Sequence, residues 1–65
     1  MNARKIGENW TTAETAEFLS VSEATLRGWR HQNYGPKSFT LGRRAVRYLE
    51  QDVRRWLEDQ IKASA

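Results

Sequence analysis

The 65-residue chain contains no cysteine. A disulfide framework and a cysteine-based zinc site are thereby excluded. It has a single histidine, His31, which cannot build a histidine cluster, so no metal site is expected. Long apolar runs are missing too. The longest are the pairs Phe18-Leu19, Ala45-Val46, Tyr48-Leu49 and Trp56-Leu57, so no membrane span is expected. Met1 to Trp10 is polar and lacks the apolar stretch of a signal peptide. There is no internal repeat and no low-complexity tract. The chain also lacks a phosphate-binding glycine loop, a cysteine nucleophile and a second histidine, and no acidic pair sits in a pocket-sized fold. Glu14/Glu17 and Glu58/Asp59 read as helix charge patterning, so no enzyme, catalytic residue or cofactor is expected. What remains is a soluble, intracellular single domain, small enough that its core is marginal.

The charge is unevenly placed. The net charge is +3 and the isoelectric point near 9.8. Residues 11–23 contribute −3, whereas Ala24 to Leu49 holds no acid against Arg27, Arg30, Lys37, Arg43, Arg44 and Arg47, a local charge of +6. Two readings of that stretch are open on composition alone: a solvated basic face, or a surface for a polyanion.

Local patterns order the chain. Thr11 with Glu14 three residues later has capping-box spacing, and Ala13, Ala16, Phe18 and Leu19 form an apolar face, which predicts a helix over 12–19. Ser22 is a second N-cap, and Leu26 and Trp29 share a face of a helix over 23–32. Gly28 inside that helix costs ~1 kcal/mol relative to alanine and suggests close approach by something large. Asn33-Tyr34-Gly35-Pro36 ends the helix. Phe39-Thr40-Leu41 and Val46-Arg47-Tyr48 then alternate with period two, which predicts two strands around a four-residue loop, Gly42 to Ala45, with Phe39, Leu41, Val46 and Tyr48 inward and Thr40 and Arg47 outward. A last helix is predicted over 50–62, with Val53, Trp56, Leu57 and Ile61 at helical spacing and Glu50–Arg54, Arg54–Glu58, Arg55–Asp59 and Glu58–Lys62 as i,i+4 pairs. The domain is expected over 10–62, with frayed ends at 1–9 and 63–65.

Two short helices joined by Ser20-Val21-Ser22, a basic hairpin and a third helix describe a winged helix-turn-helix: mainly α, with a two-stranded β-hairpin wing. Such a fold needs a small residue where its first two helices meet, and Ala16 is there. The turn starts at Ser20, where glycine is usual because a left-handed backbone is often required; Ser20 implies a modest loss of stability. Trp10, Trp29 and Trp56 read as core anchors rather than base-stacking platforms, with Trp29 expected where the second helix meets the wing.

The segments Thr11 to Ser22, Thr25-Leu26-Arg27-Gly28-Trp29-Arg30, Gly35-Pro36 and Leu41-Gly42-Arg43-Arg44-Ala45-Val46-Arg47-Tyr48 resemble the excisionase family, across about three-quarters of the chain. These small winged-helix proteins are the recombination directionality factors of phages and mobile elements, related to the DNA-binding module of MerR-type regulators. The resemblance implies a second helix in the major groove of double-stranded DNA, a wing in the adjacent minor groove, cooperative binding to direct repeats, DNA bending, and a switch of a tyrosine integrase from insertion to excision. A bacterial, nucleoid-associated cytoplasmic location goes with it.

Winding the second helix at 100° per residue puts Leu26 and Trp29 inward, Glu23, Ala24, Arg27, Gly28 and His31 outward, and Arg30 at the edge. Arg27 is the candidate base reader, since guanidinium bridges the two guanine acceptors; its alternative is a solvated arginine. Ser22 and Thr25 are candidates for phosphate near free helix amides, and Ser22 also caps. Glu23 fits cytosine N4 or, more simply, the helix dipole. Ala24 and Gly28 leave room for groove walls or a thymine methyl, or serve helix crossing. His31 is a candidate phosphate contact, its alternative a surface histidine with no specific role, and Arg30 stands at the edge of this face. In the wing, Arg43, Arg44 and Arg47 suit a narrow A·T-rich minor groove, and Lys37 a phosphate.

Other classes share these features. A small MerR-like transcription regulator would use the same DNA face but normally adds a dimerising helix, and the DNA-recognition domain of a phage packaging complex would add an assembly domain. The short chain therefore favours the excisionase. A protein-interaction adaptor would turn the basic face to an acidic partner. With the last helix's apolar stripe used on its own domain, a monomer in solution is expected, assembling cooperatively head to tail on DNA, the basic wing of one copy against Glu14 or Glu17 of the next.

Overall fold

The computed structural model describes residues 8–64, in the order β1 (Asn9–Trp10), α1 (Thr12–Leu19), α2 (Glu23–His31), β2 (Phe39–Leu41), β3 (Ala45–Leu49) and α3 (Glu50–Ser64). Helix α1 begins where its capping box predicts. The Glu14 amide donates to Thr11 Oγ1 at 3.1 Å, and the Thr11 amide donates to Glu14 Oε1 at 2.9 Å, so two otherwise orphaned amides are satisfied reciprocally. Ser22 caps α2 in the same way, accepting from the Thr25 amide at 3.0 Å. Both helices end in left-handed residues. The Val21 amide reaches Ala16 O and the Ser20 amide reaches Glu17 O, with Ser20 at φ 61°. At the end of α2, Tyr34 donates to Trp29 O and Asn33 to Arg30 O, with Asn33 at φ 56°. These paired bonds are Schellman motifs, normally closed by glycine, so Ser20 and Asn33 both hold conformations that cost non-glycine residues stability.

The three strands form one antiparallel sheet in the order β1-β3-β2. Its register corrects the predicted hairpin. Leu41 pairs with Ala45, Thr40 with Val46 and Phe39 with Arg47, so the turn is Gly42-Arg43-Arg44, three residues rather than four. Shortening the loop by one residue turns β2 over, because side chains alternate with period two. Thr40 thus shares a face with Val46 and the buried Tyr48, while Phe39 and Leu41 stand on the outer face with Arg47, 37% and 49% exposed. Gly42, at φ 69°, supplies the left-handed step that opens the turn.

Strand β1 escaped prediction. Its two residues carry no periodic signal, yet Trp10 pairs with Tyr48 and Asn9 with Leu49, and the Glu50 amide donates to Glu8 O at 3.1 Å. Asn9 is thus paired rather than frayed, and α3 continues through residues 63 and 64; residues 1–7 and 65 lie outside the described part of the chain.

The core joins Trp10 of β1, Ala16 of α1, Leu26 of α2, Tyr48 of β3 and Val53 of α3, with Phe18, Leu19, Val21, Trp29 and Val46 packed around it. Ala16 sits where a small residue was required. Ala13 is exposed instead of inward, and Thr15 takes the buried place, its hydroxyl satisfied by donating to Thr11 O at 2.9 Å. Trp10 packs on Phe18, ring centroids 4.9 Å apart. Trp29 is half-buried, and its ring packs on Trp56 of α3 and edge-on to Tyr34, both at 5.4 Å. Of the predicted pairs on α3 only Glu50–Arg54 forms, at 2.8 Å, with the Arg54 guanidinium also 5.0 Å from the Phe18 ring centre; the others are exposed pairs whose closure brings little free energy. The apolar stripe of α3 is not wholly used inside the domain, since Ile61 is 61% exposed where the last turns pass beyond the core.

Candidate nucleic-acid interface

Helices α1 and α2, the Ser20-Val21-Ser22 turn between them, and the β2–β3 hairpin make a winged helix-turn-helix. Packing orients α2. Leu26 is buried and Trp29 half-buried against the core, which leaves Ser22, Glu23, Ala24, Thr25, Arg27 and His31 exposed and Gly28 and Arg30 half-buried. Glu23, Ala24, Arg27 and His31 are exposed as the helical projection expects, whereas Gly28, also placed outward by it, is half-buried. A Cβ placed on Gly28 would meet nothing within 4 Å, so this glycine serves no helix crossing and its surface is open to an approaching molecule.

Several of these side chains already have partners. Ser22 accepts from the Thr25 amide and donates its own hydroxyl hydrogen to Thr25 Oγ1 at 3.0 Å, which ties both hydroxyls to the cap. Arg27 Nη1 lies 3.4 Å from Glu23 Oε1, both side chains about half exposed (52% and 50%). Such an i,i+4 pair contributes only ~0.3–0.5 kcal/mol, so Arg27 is readily released to a stronger acceptor. Arg30 turns the other way. Its Nη1 donates to Tyr48 Oη at 2.9 Å, linking α2 to the middle strand of the sheet.

The wing presents its cations differently. Arg43 and Arg44 occupy the turn, exposed, and neither makes a hydrogen bond or ion pair among the described residues. Arg47 is half-buried on the outer face of β3, where its Nη1 donates to Val46 O at 3.1 Å. Lys37 is exposed on the segment that leads from α2 into β2. No acid occurs between Ala24 and Leu49, so α2, this segment and the wing form a surface of one sign interrupted only by Glu23 at the start of α2. Potentials of that kind attract a polyanion.

Three features of the surface were not visible in the sequence. Phe39 and Leu41 lie beside Arg47 on the solvent face of the wing. Arg30 depends on Tyr48, a residue read only as core. Asn33, Tyr34 and Ser38 stand with Arg30 and Lys37 around one cleft. The first would have followed from a three-residue turn; the second joins residues eighteen positions apart, and the third depends on how the segment after α2 turns back on the helix end. Among the described residues no group of histidines or carboxylates is arranged to hold a metal, and no helix is long and apolar enough to cross a membrane.

Residues 11–61 match the model of a family described as a helix-turn-helix domain, a small DNA-binding family that includes excisionase-like proteins. No curated protein matches the chain.

Proposed function

The chain belongs to this helix-turn-helix domain family, and from that premise we propose that it is a sequence-specific, DNA-bending excisionase that turns a tyrosine integrase toward excision. The observation that carries the DNA contact is the acid-free stretch running from Ala24 through Arg43 and Arg44 of the wing, which have no partner among the described residues. In this reading α2 enters the major groove. Arg27 leaves its weak pair with Glu23 to read guanine, Ala24 and Gly28 give the groove wall room, and Ser22, Thr25, Arg30 and His31 lie along the phosphates. Arg43, Arg44 and Arg47 enter the adjacent minor groove, and Lys37 meets the backbone between the two. No cofactor takes part, and the work is done in the bacterial cytoplasm at the nucleoid.

One domain of this size makes few contacts for site-specific occupancy, so specificity is supplied by several copies on direct repeats. The free protein is a monomer, and neighbouring copies meet head to tail, basic wing against the acidic side of α1. An in vitro excision assay with the integrase encoded beside this gene tests the reading. Excision that requires this protein supports it; duplex binding with no effect on excision or insertion discards the excisionase role. The exposed Ile61 supports a second reading, in which α3 pairs two copies of a small MerR-like regulator. Sedimentation separates the two, a stable dimer free of DNA pointing to the regulator.

A further inference from the structure

Where α2 ends and the chain turns toward β2, Arg30, Asn33, Tyr34, Lys37 and Ser38 line an open cleft of about 240 Å³. We infer that this cleft binds a phosphate group and that the buried Tyr48 positions the arginine that holds it. One source of that phosphate, the DNA backbone, rests on the DNA-binding reading above; the other, a small phosphate ester, does not.

The lining is built for an anion. It contributes a guanidinium, an ammonium, an amide and hydroxyls, and no carboxylate. Arg30 is the fixed element. Tyr48 is 1% exposed on the central strand, and its Oη accepts from Arg30 Nη1 at 2.9 Å. One of the five guanidinium donors is spent on that bond, and the remainder stay with a cation whose orientation is already set. A preset group loses less freedom when it binds. Lys37 is exposed at the rim, makes no ion pair among the described residues, and adds the second charge.

The wall between them is rigid for identifiable reasons. Asn33 is held left-handed by the amide bonds to Arg30 O and Trp29 O that close α2, and Tyr34 packs edge-on against both Trp29 and Trp56. Gly35 lies at φ 89° so close to Trp29 that a Cβ there would stand 3.1 Å from its ring, and Pro36 beside it is buried. The cleft lies between the helix and the wing. A backbone strand separating the groove that receives α2 from the groove that receives the wing passes this point.

Titration with inorganic phosphate, followed by the amide resonances of residues 33–35, 37 and 38 and the Arg30 Nε–H, tests the inference directly. Saturable shifts are expected in the wild type. Lys37→Ala weakens them, and Tyr48→Phe, which removes one oxygen and keeps the ring, weakens phosphate about three- to tenfold. Melting temperature is read alongside: a Tyr48→Phe protein that melts lower but binds phosphate as before shows a purely structural tyrosine and overturns its positioning role. Lys37, being exposed, can be replaced without loss of fold whatever happens at Tyr48. The sources separate in duplex binding. If the phosphate is the backbone's, Lys37→Ala flattens the slope of log K against log salt by about 0.9; saturable phosphate binding with an unchanged slope assigns the cleft to a small phosphate ester. Wild-type protein that saturates with phosphate but binds no duplex discards the DNA reading and keeps the cleft. No saturable shift, together with an unchanged duplex slope in Lys37→Ala, overturns the cleft and leaves the DNA reading standing.

Discussion

The two edges of the sheet use their charges in opposite ways. At the β1 edge, Trp10, Glu14, Glu17, Phe18 and Arg54 line a shallow groove of about 310 Å³. Glu14 there completes the capping box of α1, and Arg54 bonds Glu50 while covering the Phe18 ring. At the β2 edge, Arg43 and Arg44 have no partner among the described residues. Glu14 and Arg54 thus make contacts that serve their own helices. The second group does nothing for the fold that a neutral residue would not do, and packing a like-charged tip on so small a domain carries a cost in self-repulsion. Composition alone gives both groups equal weight; partners within the chain tell them apart.

The core common to both edges should respond most. Leu26→Ala removes a buried side chain from beneath the exposed face of α2 and is expected to cost about 2–5 kcal/mol, much of the stability of a domain this small. Urea unfolding reads it directly, and a variant as stable as the wild type would show that α2 is held by something other than this packing. On the basic side, Arg27→Ala is expected to cost ~1–3 kcal/mol on the cognate duplex, far less on random duplex, and almost nothing in stability. Equal losses on both duplexes would mean that Arg27 reads no base. The acidic side gives the converse. Thr11→Ala opens the capping box and should cost about 1 kcal/mol of stability, with duplex affinity unchanged wherever the variant is folded. A loss of affinity without a loss of stability would place the start of α1 at the DNA and break the contrast between the edges.

The smallest effect sharpens the contrast within the wing. Leu41→Ala should change stability by less than about 0.5 kcal/mol, as surface substitutions do, because the observed register puts Leu41 outward. A loss of 2 kcal/mol or more, the range of buried leucines, would restore the inward register.

That register marks the boundary of what the sequence reveals. Both short helices, the turn between them and the outward face of α2 were legible, because caps and the 3.6-residue period act over a few residues. Thr11 with Glu14 and Leu26 with Trp29 are such local signals. Even the left-handed backbone at Ser20 was foreseeable from its place in the turn. The face of β2 was not, since it hinges on whether Ala45 belongs to the loop or to the strand, and only pairing with Leu41 decides that. Strand β1 is two residues long and exists because Tyr48 and Leu49 lie nearly forty residues further on. The neighbours of Trp29, and the bond from Arg30 to Tyr48, likewise depend on which elements meet after folding. The cations of the interface could be named from their types; the cleft that gathers two of them could not.

The measurement that bears most directly on the central claim is the salt dependence of duplex binding, compared between the wild type and a protein in which Arg43, Arg44 and Arg47 are all replaced by alanine. Each lost phosphate contact should flatten the slope of log K against log salt by about 0.9, and the three together by about 2.7, with the melting temperature of the free protein little changed. A triple variant that binds duplex with the wild-type slope would contradict the account, because the arginines of the wing would then have no part in holding DNA.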